Sequence, residues 1–153
     1  MNNRRSFITG INGIKLNKKE ITFLKKYKPW GIILFSRNLS NFRQIKSLTS
    51  KIRKIFKDKN YPILIDQEGG KVNRLNKFIS LDNLTSEFFG KIYIKNKREF
   101  KVIFKLYIDK ISFLLFNLGI NINTVPVLDL RYKGSSNIIG NRSYSKNPKV
   151  VSE

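Results

Sequence analysis

Short apolar runs of strand length alternate with segments of helical periodicity along most of this chain, and this alternation is the feature that most constrains the fold. The strand candidates lie at residues 5–11, 30–35, 61–66 and 121–130. Strands that are apolar at almost every position are typical of parallel strands covered on both faces. Strands and helices in series predict βαβ units with right-handed crossovers. The sequence therefore predicts an α/β fold with parallel strands alternating with helices, in one domain over residues 1–153.

The helical segments begin at residues that commonly cap helices. Asn17 precedes Glu20 by three residues, the spacing of a capping box, and apolar residues follow at helical intervals. Asn41 and Gln44 repeat this spacing before the next apolar stripe. A strongly apolar segment at 99–118 predicts a third helix. Each of these helices joins two strand candidates, as a βαβ arrangement requires.

Polar residues follow the predicted strands at equivalent places. Residues 36–38 follow the second strand, Asp66 ends the third, and Asp129 ends the fourth. The carboxyl ends of parallel strands form the ligand-binding edge of open α/β sheets and of (β/α)8 barrels. The sequence therefore predicts a ligand site at this edge.

The segment DQEGGKVNRL at residues 66–75 is the most informative of these clusters. Asp66 offers hydrogen-bond acceptors, the two glycines after Glu68 allow a tight turn, and Arg74 offers a planar set of donors. This combination suits a polyhydroxylated ligand such as a sugar. An Asp66–Arg74 ion pair that only fixes the loop is the alternative. Glu68 has two interpretations as well, a second catalytic carboxylate or an acid that braces the loop through hydrogen bonds from backbone N–H groups, and we favour the brace.

Composition excludes several classes of active site. The chain contains neither cysteine nor histidine. It therefore has no disulfide, no Cys nucleophile and no Ser-His-Asp triad, and no metal site or cofactor is expected.

The formal net charge of +21 raises the alternative of a nucleic-acid-binding protein. The basic residues are scattered along predicted helices and form no recognised binding motif. A chain rich in Lys, Asn and Ile that lacks alanine is typical of an AT-rich genome, so we expect no nucleic-acid partner. The first residues do not read as a signal peptide, and the longest apolar run, near residues 111–120, is about ten residues against the roughly 20 that a membrane span needs. We therefore expect a cytoplasmic protein with no membrane partner.

Four ordered segments resemble glycoside hydrolase family 3, in its bacterial β-N-acetylhexosaminidase branch. DQEGGKVNRL resembles the family's D-Q-E-G-G-[RK]-V-x-R motif, and PWGIILFSRN resembles its P-x-G-x-I-L-F-x-R-N segment. NTVPVLDL resembles the strand that ends in P-V-L-D. IIGNRSYSKNPKVV resembles I-G-[DE]-R-[SA]-[YF]-x-x-[DN]-P, although Asn141 stands where the family usually has an acid.

This resemblance implies a partial (β/α)8 TIM-type barrel, about its first half, and a retaining glycosidase that releases terminal β-linked N-acetylglucosamine from peptidoglycan fragments. It implies that Asp66, Arg74 and Arg142 bind the sugar, with Glu68 and Asp129 as second-tier candidates. The implied partner is a carbohydrate, an N-acetylglucosamine-containing muropeptide.

The resemblance also implies that part of the catalytic machinery lies beyond Glu153. The family's Lys-His pair and acid/base histidine lie in a K-H-F-P-G-H-G segment, and its aspartate nucleophile lies in a later S-D-D segment. No catalytic residue is therefore expected within this chain. We expect a truncated sequence, a split gene completed by a C-terminal half chain, or a decaying gene. A sugar-binding remnant without chemistry is the alternative function.

Overall fold

The computed structural model describes residues 4–132, 134 and 136–153. The chain divides into two compact units. The first runs to Asp66 and includes Phe113–Thr124, and the second comprises Gln67–Ser112 and Val125–Glu153. No helix in the described part of the chain combines the length and the hydropathy needed to cross a membrane.

A four-stranded parallel sheet forms the centre of the first unit. Its strands lie in chain order: β1 (Arg5–Thr9), β2 (Pro29–Leu34), β3 (Ile63–Ile65) and β4 (Ile122–Asn123). All three neighbouring pairs are parallel, with Ile32 opposite Ile63 and Leu64 opposite Ile122. The prediction of parallel strands from unbroken apolar runs is confirmed.

Two helices of the first unit begin where their caps predict. In α1 (Lys18–Tyr27), the Asn17 side chain accepts a hydrogen bond from the backbone N–H of Glu20, and Glu20 accepts one from the backbone N–H of Asn17. The predicted capping box is confirmed. In α2 (Phe42–Phe56), the Asn41 side chain accepts from the backbone N–H of Gln44 at 2.9 Å.

The core of the first unit is aliphatic and lies between the sheet and α2. Its fully buried side chains on the sheet and on α2 are Ile32, Leu34, Ile45, Ile52, Ile63 and Ile65. Burying each such side chain stabilises the fold by roughly 1.5–3 kcal/mol. This core fixes the strand that carries Asp66.

The fourth strand is much shorter than the sequence predicts. The apolar run at 121–130 forms a strand only at Ile122–Asn123. Pro126 has no N–H to donate to a sheet ladder, which limits how far pairing can extend. The prediction that Asp129 ends a strand is therefore wrong, because β4 stops well before it.

The second unit contains the remaining helices, α3 (Ser86–Lys95), most of α4 (Lys97–Asn117), and α5 (Pro148–Val151). The predicted helix at 99–118 is confirmed as α4, but the sequence interpretation missed α3. Thr85 caps α3 by accepting a hydrogen bond from the backbone N–H of Phe88. An aromatic cluster packs between these helices, with ring centroids about 5–6 Å apart: Phe89, Phe100, Phe104, Tyr107 and Tyr144.

Candidate functional site

Asp66 lies directly after the fully buried strand β3, in the first unit. It is half-buried. Beside it, Thr124 follows β4 and donates its backbone N–H to the carbonyl oxygen of Ile65 at 2.9 Å. The Thr124 hydroxyl donates a hydrogen bond to Oδ1 of Asp66. Asp66 is thus held at the carboxyl end of the sheet and accepts a hydrogen bond from a hydroxyl, the donor that sugars carry.

The polar residues after β2 serve the fold. A single 3₁₀ turn spans Ser36–Asn38. The side chain of Asn38 is fully buried, accepts from the backbone N–H of Phe35 at 2.9 Å, and donates to the carbonyl oxygens of Ile11 and Gly13. Arg37 also donates to the carbonyl oxygen of Ile11. These residues fasten the loop after β1, a role that the sequence did not reveal.

Glu68 and Arg142 form a bidentate ion pair within the second unit. Nε of Arg142 donates to one carboxylate oxygen of Glu68 at 2.8 Å, and Nη2 donates to the other at 2.7 Å. Only 7% of the Glu68 side chain and 24% of the Arg142 side chain are exposed. Two parallel charge-assisted hydrogen bonds fix both position and orientation. The pair allows Glu68 to brace the loop, although through Arg142 and not through the backbone N–H groups that the sequence interpretation names.

A tight turn follows Glu68 and depends on glycine. Gly69 and Gly70 have φ angles of +97° and +54°, which favour glycine. A Cβ on Gly69 would lie 2.3 Å from the carbonyl oxygen of Leu84. Tyr107 donates its hydroxyl to the carbonyl oxygen of Glu68 at 2.9 Å. The turn therefore packs closely against Leu84 and is also fixed by the hydrogen bond from Tyr107.

Two buried amides within DQEGGKVNRL, those of Gln67 and Asn73, also stabilise this loop. Gln67 is 1% exposed; its Nε2 donates to Oδ1 of Asn73, and its Oε1 accepts from the backbone N–H of Leu75. Asn73 donates in turn to the carbonyl oxygen of Ile79 at 2.9 Å. Sequence reasoning missed both residues, since a polar residue in a loop normally suggests exposure.

Two tyrosines near Glu68 titrate above their ordinary range. Burial raises the pKa of Tyr107 to about 12, and the nearby Tyr144 and Glu68 add to the shift. Burial also raises the pKa of Tyr144, Glu68 adds to the rise, and a hydrogen bond with Ser86 opposes it. Both hydroxyls therefore stay protonated at neutral pH, and Tyr107 remains a hydrogen-bond donor.

The other predicted residues are placed differently. Arg74 is half-buried in a turn of the second unit. Asp129 is exposed and lies beyond the end of β4. The structure therefore brings Glu68 and Arg142 together and sets Asp66 beside Thr124, while it does not place Asp129 at a strand end. The convergence of Asp66, Arg74 and Arg142 on one ligand stays a prediction.

Within the described ranges, no three acidic, histidine or cysteine side chains are grouped so that they could hold a metal ion. The first unit offers the Asp66 carboxylate, and the second unit offers the Glu68–Arg142 pair. Such groups bind hydroxyls and amides through directional hydrogen bonds.

Comparison with known proteins decides the family. The model of the glycosyl hydrolase family 3 N-terminal domain matches residues 6–153. The chain belongs to glycosyl hydrolase family 3. The beta-hexosaminidase of Neisseria gonorrhoeae is 32% identical over 153 residues, an alignment that covers 97% of this chain and 40% of the relative.

Solved family 3 structures share the fold. NagZ from Neisseria gonorrhoeae, solved in complex with N-trifluoroacetyl-D-glucosamine, matches with a TM-score of 0.85 at 31% identity. A β-N-acetylglucosaminidase from Paenibacillus matches with a TM-score of 0.70 at 27% identity over 95% of this chain. The alignment covers 44% of the Neisseria NagZ chain, which agrees with the partial barrel that the present sequence predicts. The present chain therefore spans less than half the length of these relatives.

Proposed function

We propose that this family 3 chain is the sugar-binding portion of a β-N-acetylhexosaminidase that releases terminal β-linked N-acetylglucosamine. The match of the family model to residues 6–153 carries this proposal. The beta-hexosaminidase relatives and the glucosamine derivative bound to the Neisseria protein support the substrate class. A muropeptide from peptidoglycan turnover is the proposed natural substrate, in the cytoplasm.

Three residues are proposed to contact the sugar. Asp66 accepts hydrogen bonds from sugar hydroxyls, as it does from the hydroxyl of Thr124. Arg142, held in orientation by its bidentate pair with Glu68, is proposed as a donor to the sugar. Arg74 is proposed as a further donor. A rigid carboxylate and a braced guanidinium suit a ligand with both hydroxyl and acetamido groups.

Hydrolysis is proposed to need groups that these 153 residues do not supply. The chain contains no histidine, so the family's histidine acid/base has no counterpart among these residues. We propose that a C-terminal half chain supplies the nucleophile and the acid/base group. Sugar binding without chemistry, through Asp66, Arg74 and Arg142 alone, is the second candidate.

Saturation-transfer NMR of the full chain with millimolar N-acetylglucosamine tests the binding proposal. We expect signal transfer to the sugar for the wild-type chain and for Asp82→Ala, which alters an exposed aspartate. We expect its loss for Asp66→Ala, with an unchanged circular dichroism spectrum. Equal transfer for both variants, or none for the folded wild-type chain, would contradict the proposal.

A chimera separates the enzymatic proposal from the binding-only candidate. Residues 1–153 are joined to the part of the Neisseria gonorrhoeae beta-hexosaminidase that follows the matched segment. Release of p-nitrophenol from p-nitrophenyl N-acetyl-β-glucosaminide by a folded chimera, and not by its Asp66→Ala variant, would support the enzyme. A folded chimera that binds N-acetylglucosamine without turnover would support the binding-only function.

A further inference from the structure

A strongly basic cavity lies in the first unit, where the end of α2 meets the end of α4. Its volume is about 550 Å³. Five cationic side chains line it: Lys46, Arg53, Lys54, Lys57 and Lys59. Its lining residues at the ends of α2 and α4 come shortly before β3 and β4 in the sequence. The cavity therefore lies near the amino ends of these strands, whereas Asp66 follows the carboxyl end of β3. The sugar-binding proposal does not use it.

Asp58 is the one acidic side chain among the residues described as lining this cavity. It forms an ion pair with Arg4 and accepts a hydrogen bond from the backbone N–H of Asn60 at 2.8 Å. Its hydrogen bond with Asn60 is the largest cause of its lowered pKa, which the positive charges of Arg4 and Arg53 lower further. Because Arg4 already balances this carboxylate, the cavity keeps a large excess of positive charge.

Arg53 is the least exposed of the five cations. Its Nε is buried and has no hydrogen-bond acceptor among the described residues. Its guanidinium lies against Gly119, where an added Cβ would come within 2.8 Å of Nη1. Burial lowers the pKa of Arg53 and Asp58 partly offsets that effect. The half-buried side chain of Arg53 lines the cavity, where its guanidinium can form charge-assisted hydrogen bonds with an anionic ligand.

The partial charges at the ends of two helices offset only some of these cations. Both α2, which ends at Phe56, and α4, which ends at Asn117, present their C-terminal ends near the cavity. Each helix end carries about half a negative elementary charge, which favours nearby cations. Two such ends balance about one of the five cations. The remaining excess of positive charge favours the binding of a multiply charged anion.

An exposed aromatic ring borders the same cavity. Phe116 lines it and is 79% exposed, the largest exposure recorded for a large apolar side chain in the described part of the chain. Flat aromatic rings next to phosphate-binding cations commonly stack on bases. We propose that this cavity binds the phosphate groups of a nucleotide, with Phe116 stacking on its base. The cations hold the phosphates, and Arg53 is the least exposed of them.

Isothermal titration calorimetry with ADP and with pyrophosphate tests this proposal on the full chain. We expect ADP to bind more tightly than pyrophosphate, and Phe116→Ala to bring the two affinities together. The double variant Lys46→Gln/Lys54→Gln, which alters exposed side chains, should bind ADP at least about tenfold more weakly, since each lost charge-assisted contact weakens affinity severalfold. Arg53→Gln should weaken it similarly.

The control is Lys18→Gln/Lys19→Gln on α1, which removes the same net charge from exposed positions outside the cavity. It should leave ADP affinity unchanged. Equal weakening by the cavity and control variants would show non-specific attraction to a highly basic protein and overturn the proposal. Absence of ADP binding by the wild-type chain would also overturn it. So would tighter binding of a single-stranded oligonucleotide that responds equally to both double variants.

Discussion

Two polar loops follow neighbouring strands of the same sheet, and they use their side chains differently. After β2, the Asn38 amide is fully buried, and its hydrogen bonds go to the backbone of its own chain. After β3, the Asp66 carboxylate is half-buried and accepts from the hydroxyl of Thr124. The polar side chain of the first loop stabilises the fold, whereas the second loop presents a charged acceptor at the edge of the sheet.

The difference teaches that a position at the carboxyl end of a parallel strand does not by itself identify a ligand-binding residue. Burial and the type of hydrogen-bond partner separate the two cases. A buried amide whose partners are backbone groups is structural. A half-buried carboxylate on a rigid strand is a better candidate for binding. The Glu68–Arg142 pair and the glycine turn stabilise the second loop. Their contribution to stability can be measured separately from sugar binding by Asp66.

The largest effect is expected for Glu68→Ala. Removing one partner of a mostly buried ion pair leaves the other without its counter-charge, at a cost of about 3 kcal/mol. Urea denaturation measures this loss. Glu87→Ala, which removes more exposed pairs with Arg131 and Lys91, should cost under about 1 kcal/mol. Similar losses for the two variants would show that the Glu68 pair braces nothing.

The loop after β2 should respond in stability alone. Asn38→Ala removes the side-chain acceptor of the Phe35 backbone N–H and one donor to each of the carbonyl oxygens of Ile11 and Gly13, at a cost of about 2 kcal/mol. Asn12→Ala, at an exposed position of the loop after β1, should change the unfolding free energy little. Asn38→Ala should still bind N-acetylglucosamine when it is folded. Selective loss of sugar binding without a loss of stability would break the contrast between the two loops.

The turn after Glu68 should tolerate alanine poorly. Gly69→Ala places a Cβ against the carbonyl oxygen of Leu84, whereas Gly134→Ala, also at positive φ (+89°), meets no atom within 4 Å. Both variants share the cost of a left-handed backbone. The extra overlap at Gly69 should add about 2 kcal/mol to the loss of stability. Equal melting temperatures for the two variants would contradict this close approach.

The smallest effect is expected for Tyr107→Phe, which removes a single hydrogen bond to the Glu68 carbonyl at a cost of about 1 kcal/mol. Its pKa of about 12 in the folded chain exceeds the value near 10 expected on unfolding. Tyr107 therefore contributes its full stabilisation below about pH 10 and loses it as pH rises towards 12. Between pH 9 and 11, the wild-type chain should lose more stability than Tyr107→Phe. Parallel losses would contradict the raised pKa.

Much of the first unit could be predicted because its helices and strands are indicated by residues that are close together in the sequence. The capping spacing of Asn17 and Glu20 placed α1, and the unbroken apolar runs gave the parallel sheet. The errors also have local causes. The apolar run at 121–130 looked like a full strand, but Pro126 cannot extend the ladder. Thr85, a residue type that commonly caps helices, is a local sequence signal for the start of α3.

The support of the candidate site could not be predicted, because it depends on contacts between distant residues. Glu68 and Arg142 are 74 positions apart, and no sequence periodicity links them. Burial of Gln67 and Asn73 follows from the turn that they stabilise, so it is visible only once the loop is folded. The resemblance of DQEGGKVNRL to family 3 marked the segment, and the structure assigns which of its residues hold the loop.

A crystal structure of the full chain with N-acetylglucosamine tests the contrast between the two loops most directly. We expect hydroxyl oxygens of the sugar within hydrogen-bond distance of the Asp66 carboxylate, and an unchanged set of partners for Asn38. A sugar bound away from Asp66, or bound against Asn38, would contradict it.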